Sequence, residues 1–271
     1  MRKILLVAIF LCVPIATYAL GVNGTGTTEK GKFAIGLEGE YIFERDMDGS
    51  TVDTSSIPGS PNTMRVYVEA KDMSRSLLNL SYGLTDNISI YLKVGAADWE
   101  SEADVYSQTL GPGRIGHVEL DADMEVAYGG GIRIELPLSQ DDNPIVLGVD
   151  GQYLRHENDV DGRETFTFGP PPANLDGKFE VQEWQIAGYF AKSFGDFTPY
   201  IGVKASNLNM DGHIQYTTIF NPFSVSYTGD SKYNFGGFVG ANLNIGDAWA
   251  LGVEGRFVDE TAISGKCVFK F

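Results

Sequence analysis

Apolar and polar residues alternate along most of this chain. From Lys32 to Glu44 the odd positions carry Phe33, Ile35, Leu37, Gly39, Tyr41 and Phe43, while the even positions include Lys32, Glu38, Glu40 and Glu44. A period of two places the first set on one face of an extended strand and the second on the other. The rhythm returns at 64–84 (Met64, Val66, Val68, then Leu78, Leu80, Tyr82 and Leu84). At 87–98, Ile88, Ile90, Leu92 and Val94 oppose Asn87, Ser89, Tyr91 and Lys93. At 118–137, Val118, Leu120, Ala122, Met124, Val126, Tyr128, Ile132, Ile134 and Leu136 share one parity. Against them stand Glu119, Asp121, Asp123, Glu125, Arg133 and Glu135. With further strands at 144–155, 179–193, 199–211, 232–245, 249–258 and 262–271, the pattern predicts about ten antiparallel strands, or eight or twelve if a loop is misplaced.

The predicted connections alternate as well. Thr85-Asp86, 138–143, 194–198 and Gly246-Asp247-Ala248 are short. The stretches 46–63, 99–117, 156–178 and 212–231 are long, acidic and rich in Gly or Pro, and a final link near Asp259–Thr261 is short. Short turns at one end and long loops at the other fit an up-and-down barrel with periplasmic turns and extracellular loops.

Alternation alone does not separate a soluble sandwich from a barrel in lipid. The N-terminus helps: Arg2 and Lys3 precede an apolar run, Ile4 to Ile15, and Thr17-Tyr18-Ala19 offers a cleavage site after Ala19. This reads as a secretory signal peptide over 1–19, with 20–271 as one barrel domain. Leu11 before Cys12 is too bulky for a lipoprotein signal. Nothing downstream offers 18 consecutive apolar residues, so a later membrane role requires strands. Tyr82, Phe194, Phe197 and Trp249 flank the short turns, where amphipathic rings suit a membrane–water interface. The chain ends on Phe271, with Phe269, Cys267, Gly265 and Ile263 on the same parity.

In these last residues the chain resembles the bacterial outer-membrane β-barrel superfamily, whose final strand closes on a terminal aromatic. Tyr82 to Tyr91 is similar to a turn between porin-like strands. The resemblance implies an all-β transmembrane antiparallel barrel in the bacterial outer membrane. It also implies outer-membrane lipid as surroundings, and Phe271 with Phe269 as the signal read by the outer-membrane assembly machinery.

Charge and composition narrow the function. The 271 residues include 33 Gly, 16 Phe and 13 Tyr, and a net charge of −16 becomes two units more negative once Arg2 and Lys3 are removed. Nucleic-acid binding, which needs a basic footprint, is excluded. Cys267 would be the one cysteine left, so no internal disulfide staples the fold.

The polar parity predicts a lumen of both signs, with Glu38, Glu40, Asp150, Glu183, Glu254, Lys93, Lys204, Arg256 and Lys266 among its members. Two outcomes follow: an interlocked ion-pair core, or a narrow porin-like channel for small ions or solutes. Glu119, Asp121, Asp123 and Glu125, spaced by two, form one row and are read with Arg133 and Glu135 as lumen charges. The row would suit a cation-selective mouth or a divalent ion, or else a solvated strand end. No cofactor or metal is expected, because the Asp-Gly pairs at 48–49, 161–162 and 211–212 are explained by turn chemistry.

The expectation is a non-enzyme. The competing readings are a surface adhesin with working acidic loops and an outer-membrane protease. For the latter, Asp211-Gly212-His213 and Asp46-Met47-Asp48 resemble the acid/His pairs of omptin proteases, with His117 and His156 as further acid–base groups.

Overall fold

The computed structural model describes residues 26–53, 63–106, 114–139, 143–166, 173–217 and 223–271. The expected signal peptide and Pro170-Pro171-Pro172 lie outside these residues.

Eleven antiparallel strand segments close on themselves: β1 Phe33–Asp53, β2 Thr63–Thr85, β3 Ile88–Tyr106, β4 Arg114–Pro137, β5 Ile145–Phe166, β6 Ala173–Lys192, β7 Phe197–Thr217, β8 Phe223–Ser231, β9 Phe235–Ile245, β10 Trp249–Phe257 and β11 Thr261–Lys270. Closure runs from β11 to β1, Ala34 opposite Lys270 and Tyr41 opposite Ile263. Closure leaves no unpaired edge, which hydrocarbon would penalise. β8 and β9 pair with successive stretches of β7, at 209–216 and 197–205, and so act as one interrupted stave. The ring therefore has ten staves, as the alternation predicts.

The ring is not uniform in height. β10 and β11 form a short hairpin. Above its turn, β8 pairs directly with β1, Met47 opposite Ser231 and Val52 opposite Tyr227. Ten staves at the periplasmic end thus become eight in the outer part, β1 to β8. Eight strands leave an interior only wide enough for side chains. Val258 in the hairpin turn holds φ at +89°, a left-handed value that strains a β-branched residue. That turn directs Asp259 and Glu260 inward, 2% and 3% exposed.

The described residues of the segments expected as long loops at 46–63, 99–117, 156–178 and 212–231 are strand. β5 alone has 22 residues, whereas about ten cross a bilayer at the usual tilt. The rest rises above the membrane as a collar. The sense of the alternation changes on leaving the bilayer. Below, apolar Leu92, Val126, Ile186 and Val203 face outward and are exposed. Above, Trp99, Leu120, Phe179, Leu208, Met210 and Tyr227 face inward and form a continuous apolar core.

Bulges make part of this switch. One extra residue reverses the side-chain phase. β1 is bulged after Ile42 against β11, β2 between Lys71 and Ser74 against β3, and β4 between Ala122 and Glu125 against β3.

Aromatic residues mark the periplasmic rim. Phe33 packs on Tyr82 with centroids 4.8 Å apart, Trp249 on Phe269 at 4.8 Å, and Phe271 lies 6.0 Å from Phe269 and 6.4 Å from Phe33. The Phe271 amide donates to the Phe33 carbonyl at 3.1 Å, so the last residue is tied to the first strand.

Candidate functional site

The barrel interior has three tiers. At the periplasmic end lies a polar cavity of about 210 Å³ whose walls include Glu38, Asn79, Ser89, Arg133, Glu135 and Lys266. Residues 26–30 form a strap across it. The Gly26 and Thr27 amides donate to the two carboxylate oxygens of Glu135 at 2.9 and 3.0 Å. The Gly31 amide donates to the Gly83 carbonyl at 2.8 Å. Gly83 is required there, since a Cβ would run into the carbonyl oxygens of Thr28 and Glu29.

The middle tier is a plug of buried ion pairs. Arg45 binds Glu183 at 2.7 Å and Glu260 at 3.1 Å. Arg75 binds Glu183 at 2.6 Å and Glu40 at 3.1 Å. Lys204 binds Asp259 at 2.9 Å and also Glu260, and Arg256 binds Glu40 and, at 3.1 Å, Glu260. These four cations face four carboxylates, so the cluster is neutral overall. Below it, Lys93 meets Glu38 at 2.9 Å and Arg133 meets Asp150 at 2.8 Å. Tyr91, Tyr189 and Tyr200 donate to Asp150, Glu135 and Glu254 at 2.8, 2.6 and 3.0 Å. The third tier is the apolar core of the collar, where Trp99 lies edge-on to Phe179 at 5.3 Å and Phe179 packs on Tyr227 at 5.5 Å.

Arg133 and Glu135 are therefore lumen residues, 7% and 9% exposed. Glu119, Asp121 and Asp123 are not. They are exposed on the outer wall of β4, while Val118, Leu120 and Ala122 between them are buried. Glu125, beyond the bulge, is half-buried. The sequence pattern carried one parity through the whole strand; the bulge breaks it, and the expected lumen row faces water. Arg45, Arg75, Asp259 and Glu260, central to the plug, were not among the expected lumen residues. Arg45 is the last residue of the first expected strand, the Asp259–Glu260 pair sits where a short link is expected, and Arg75 is a lone cation in a weakly patterned stretch. For the two arginines the signal available is a basic residue whose neighbours two positions away are apolar, Phe43 and Met47 around Arg45 and Met73 and Leu77 around Arg75.

On the collar, register gathers the outer acids into a rung. Glu100 lies opposite Asp121, Asp121 opposite Asp161, and Asp161 opposite Asp176, across β3 to β6. Like charges directly opposite on neighbouring strands repel. The rung borders a surface depression of about 400 Å³ that also includes Asp72, Glu102, Glu119, Lys71 and Arg163. The Asp161 carboxyl is held above its ordinary range by its hydrogen bond to Asp176, with repulsion from Asp176, Asp123 and Asp121 adding to this. Glu100 is raised by partial burial and by Asp121, Asp72, Asp98 and Glu102. Among the described residues no group of three or more acidic, His or Cys side chains has metal-holding geometry.

The acid/His candidates are dispersed. His213 and Asp211 are on the outer wall, where His213 Nδ1 lies 3.3 Å from the Ser226 hydroxyl. Asp46 pairs with Lys232 at 2.8 Å, and β8 runs between its strand and β7. His156 is buried against Asn158 at 2.5 Å. His117 lies 2.9 Å from Asp104 and 3.6 Å from Glu119 on the collar.

No family model and no curated protein sequence matches this chain. Solved structures do. The outer-membrane protease OmpT from Escherichia coli superposes with a TM-score of 0.55 at 9% identity, over 91% of this chain and 96% of that one. The outer-membrane protein OprG from Pseudomonas aeruginosa is similar at a TM-score of 0.45 and 11% identity, over 90% of this chain and 98% of that one. A ring of ten antiparallel staves, an apolar belt turned outward and this structural likeness give the chain the fold of the bacterial outer-membrane β-barrel proteins.

Proposed function

We propose that this protein is a closed, structural outer-membrane barrel whose working surface is the acidic wall of its collar, presented to a partner of basic chemistry. The observation that carries this reading is the filled interior. The ion-pair plug crosses the lumen at mid-height, and the eight-stranded collar above it is packed with Trp99, Phe179, Leu208, Met210 and Tyr227. An ion on this path would have to displace both. The acidic rung points the same way: four like charges in register cost stability, and a cationic partner would offset that cost. In this reading Phe271, packed against Phe269 and Phe33, is the terminus read by the assembly machinery.

Conductance of the refolded protein in a planar bilayer tests the reading. The expected record is flat at physiological salt. Discrete ohmic steps would overturn it in favour of a narrow channel.

A further inference from the structure

At one place in the plug several buried donors lack a hydrogen-bond partner. Nε and Nη2 of Arg75, Nε of Arg256 and Nε2 of Gln185 are buried with no hydrogen-bond partner. Their residues are 2%, 4% and 2% exposed, and all three line one cavity of about 10 Å³ together with Gln152, Leu154 and Glu183. The Glu183 and Gln152 oxygens on this wall are already engaged. Glu183 Oε1 accepts from Arg45 at 2.7 Å, Glu183 Oε2 from Arg75 at 2.6 Å, and Gln152 Oε1 from Lys93 at 2.9 Å. A buried N–H left without a partner costs about 1–3 kcal/mol, and more on a charged group.

We infer that this cavity is the site of one buried monatomic anion, chloride in ordinary salt, held by Arg75, Arg256 and Gln185. The volume is that of about one water-sized sphere, too small for sulfate, phosphate or a carboxylate molecule. Water matches the wall less well. It would bring two protons of its own to a wall whose Glu183 and Gln152 oxygens are already taken, whereas a halide only accepts.

The test is to fold the full mature chain in sodium bromide and collect anomalous diffraction at the bromine edge. A peak between the Arg75, Arg256 and Gln185 nitrogens is expected. In parallel, the unfolding midpoint is measured in chloride, bromide and gluconate at equal ionic strength. Both halides should raise it saturably, and gluconate should not. In Gln185→Glu the new carboxylate occupies the donors, so the bromide peak and the halide dependence should both vanish. Should that variant not fold, Gln185→Leu removes one donor and should raise the halide concentration for half effect at least roughly tenfold, the weight of one hydrogen bond to a charged group. A bromide-free cavity together with equal midpoints in halide and gluconate would overturn the inference.

Discussion

Glu183 is the keystone of the plug, and its replacement gives a quantitative test. One oxygen binds Arg45 at 2.7 Å and the other Arg75 at 2.6 Å, with both guanidinium groups almost fully buried. Glu183→Gln keeps the shape and removes the charge. Arg45 then retains Glu260 and Arg75 retains Glu40, so neither is wholly stranded. Removing one member of a buried pair costs about 3–5 kcal/mol. The two surviving partners place the expected loss near the lower end, about 3 kcal/mol. The matched control is Lys178→Ala, which breaks an ion pair with Asp159 on the exposed collar wall. An exposed pair is worth at most about 1 kcal/mol. Both variants can be followed by urea-dependent folding into lipid vesicles, read by tryptophan fluorescence, because Trp99 in the collar and Trp184 beside Glu183 on β6 bracket the plug. A loss for Glu183→Gln no greater than that for Lys178→Ala would refute the argument that these charges are desolvated and interlocked.

Two further outcomes are expected. The Asp161 pKa is raised by the folded collar, so its ionised form is disfavoured there, and folding stability should increase as pH falls through that raised value towards the ordinary 3.8. Urea midpoints compared between native protein and Asp176→Asn should diverge in pH dependence, the variant losing this gain; identical pH profiles would count against the rung. Gly83→Ala should eject the strap, because its Cβ meets the Thr28 and Glu29 carbonyl oxygens. Protease added from the periplasmic side of vesicles should then cut near residues 26–30 faster than in native protein, with the barrel itself intact; unchanged cleavage would show that the strap is held elsewhere.

The period-two alternation was enough to determine strands, their approximate number and the existence of two chemically opposite faces. Ile88, Ile90, Leu92 and Val94 against Ser89, Tyr91 and Lys93 could be read from the sequence, and the structure keeps the apolar set outside and the polar set inside. The alternation also pointed to Arg133 and Glu135 as inward charges.

What lay beyond it was phase and height. A single inserted residue in β4 leaves composition and local period intact yet turns Glu119, Asp121 and Asp123 from the lumen to water. Only the hydrogen-bond register with β3 and β5 reveals it. The collar looks like loops in sequence for a related reason: Gly, Asp and Asn suggest turns locally, while the pairing of β5 with β6, residue for residue from Ile145 to Glu164, is a long-range property. The step from ten staves to eight, which brings Asp259 and Glu260 under Lys204, depends on β8 reaching β1 over a hairpin. Sequence thus determined the side-chain chemistry of the two faces, since that needs only neighbours two residues apart. Tertiary structure decided which charges meet, because pairing across strands is set by register and closure.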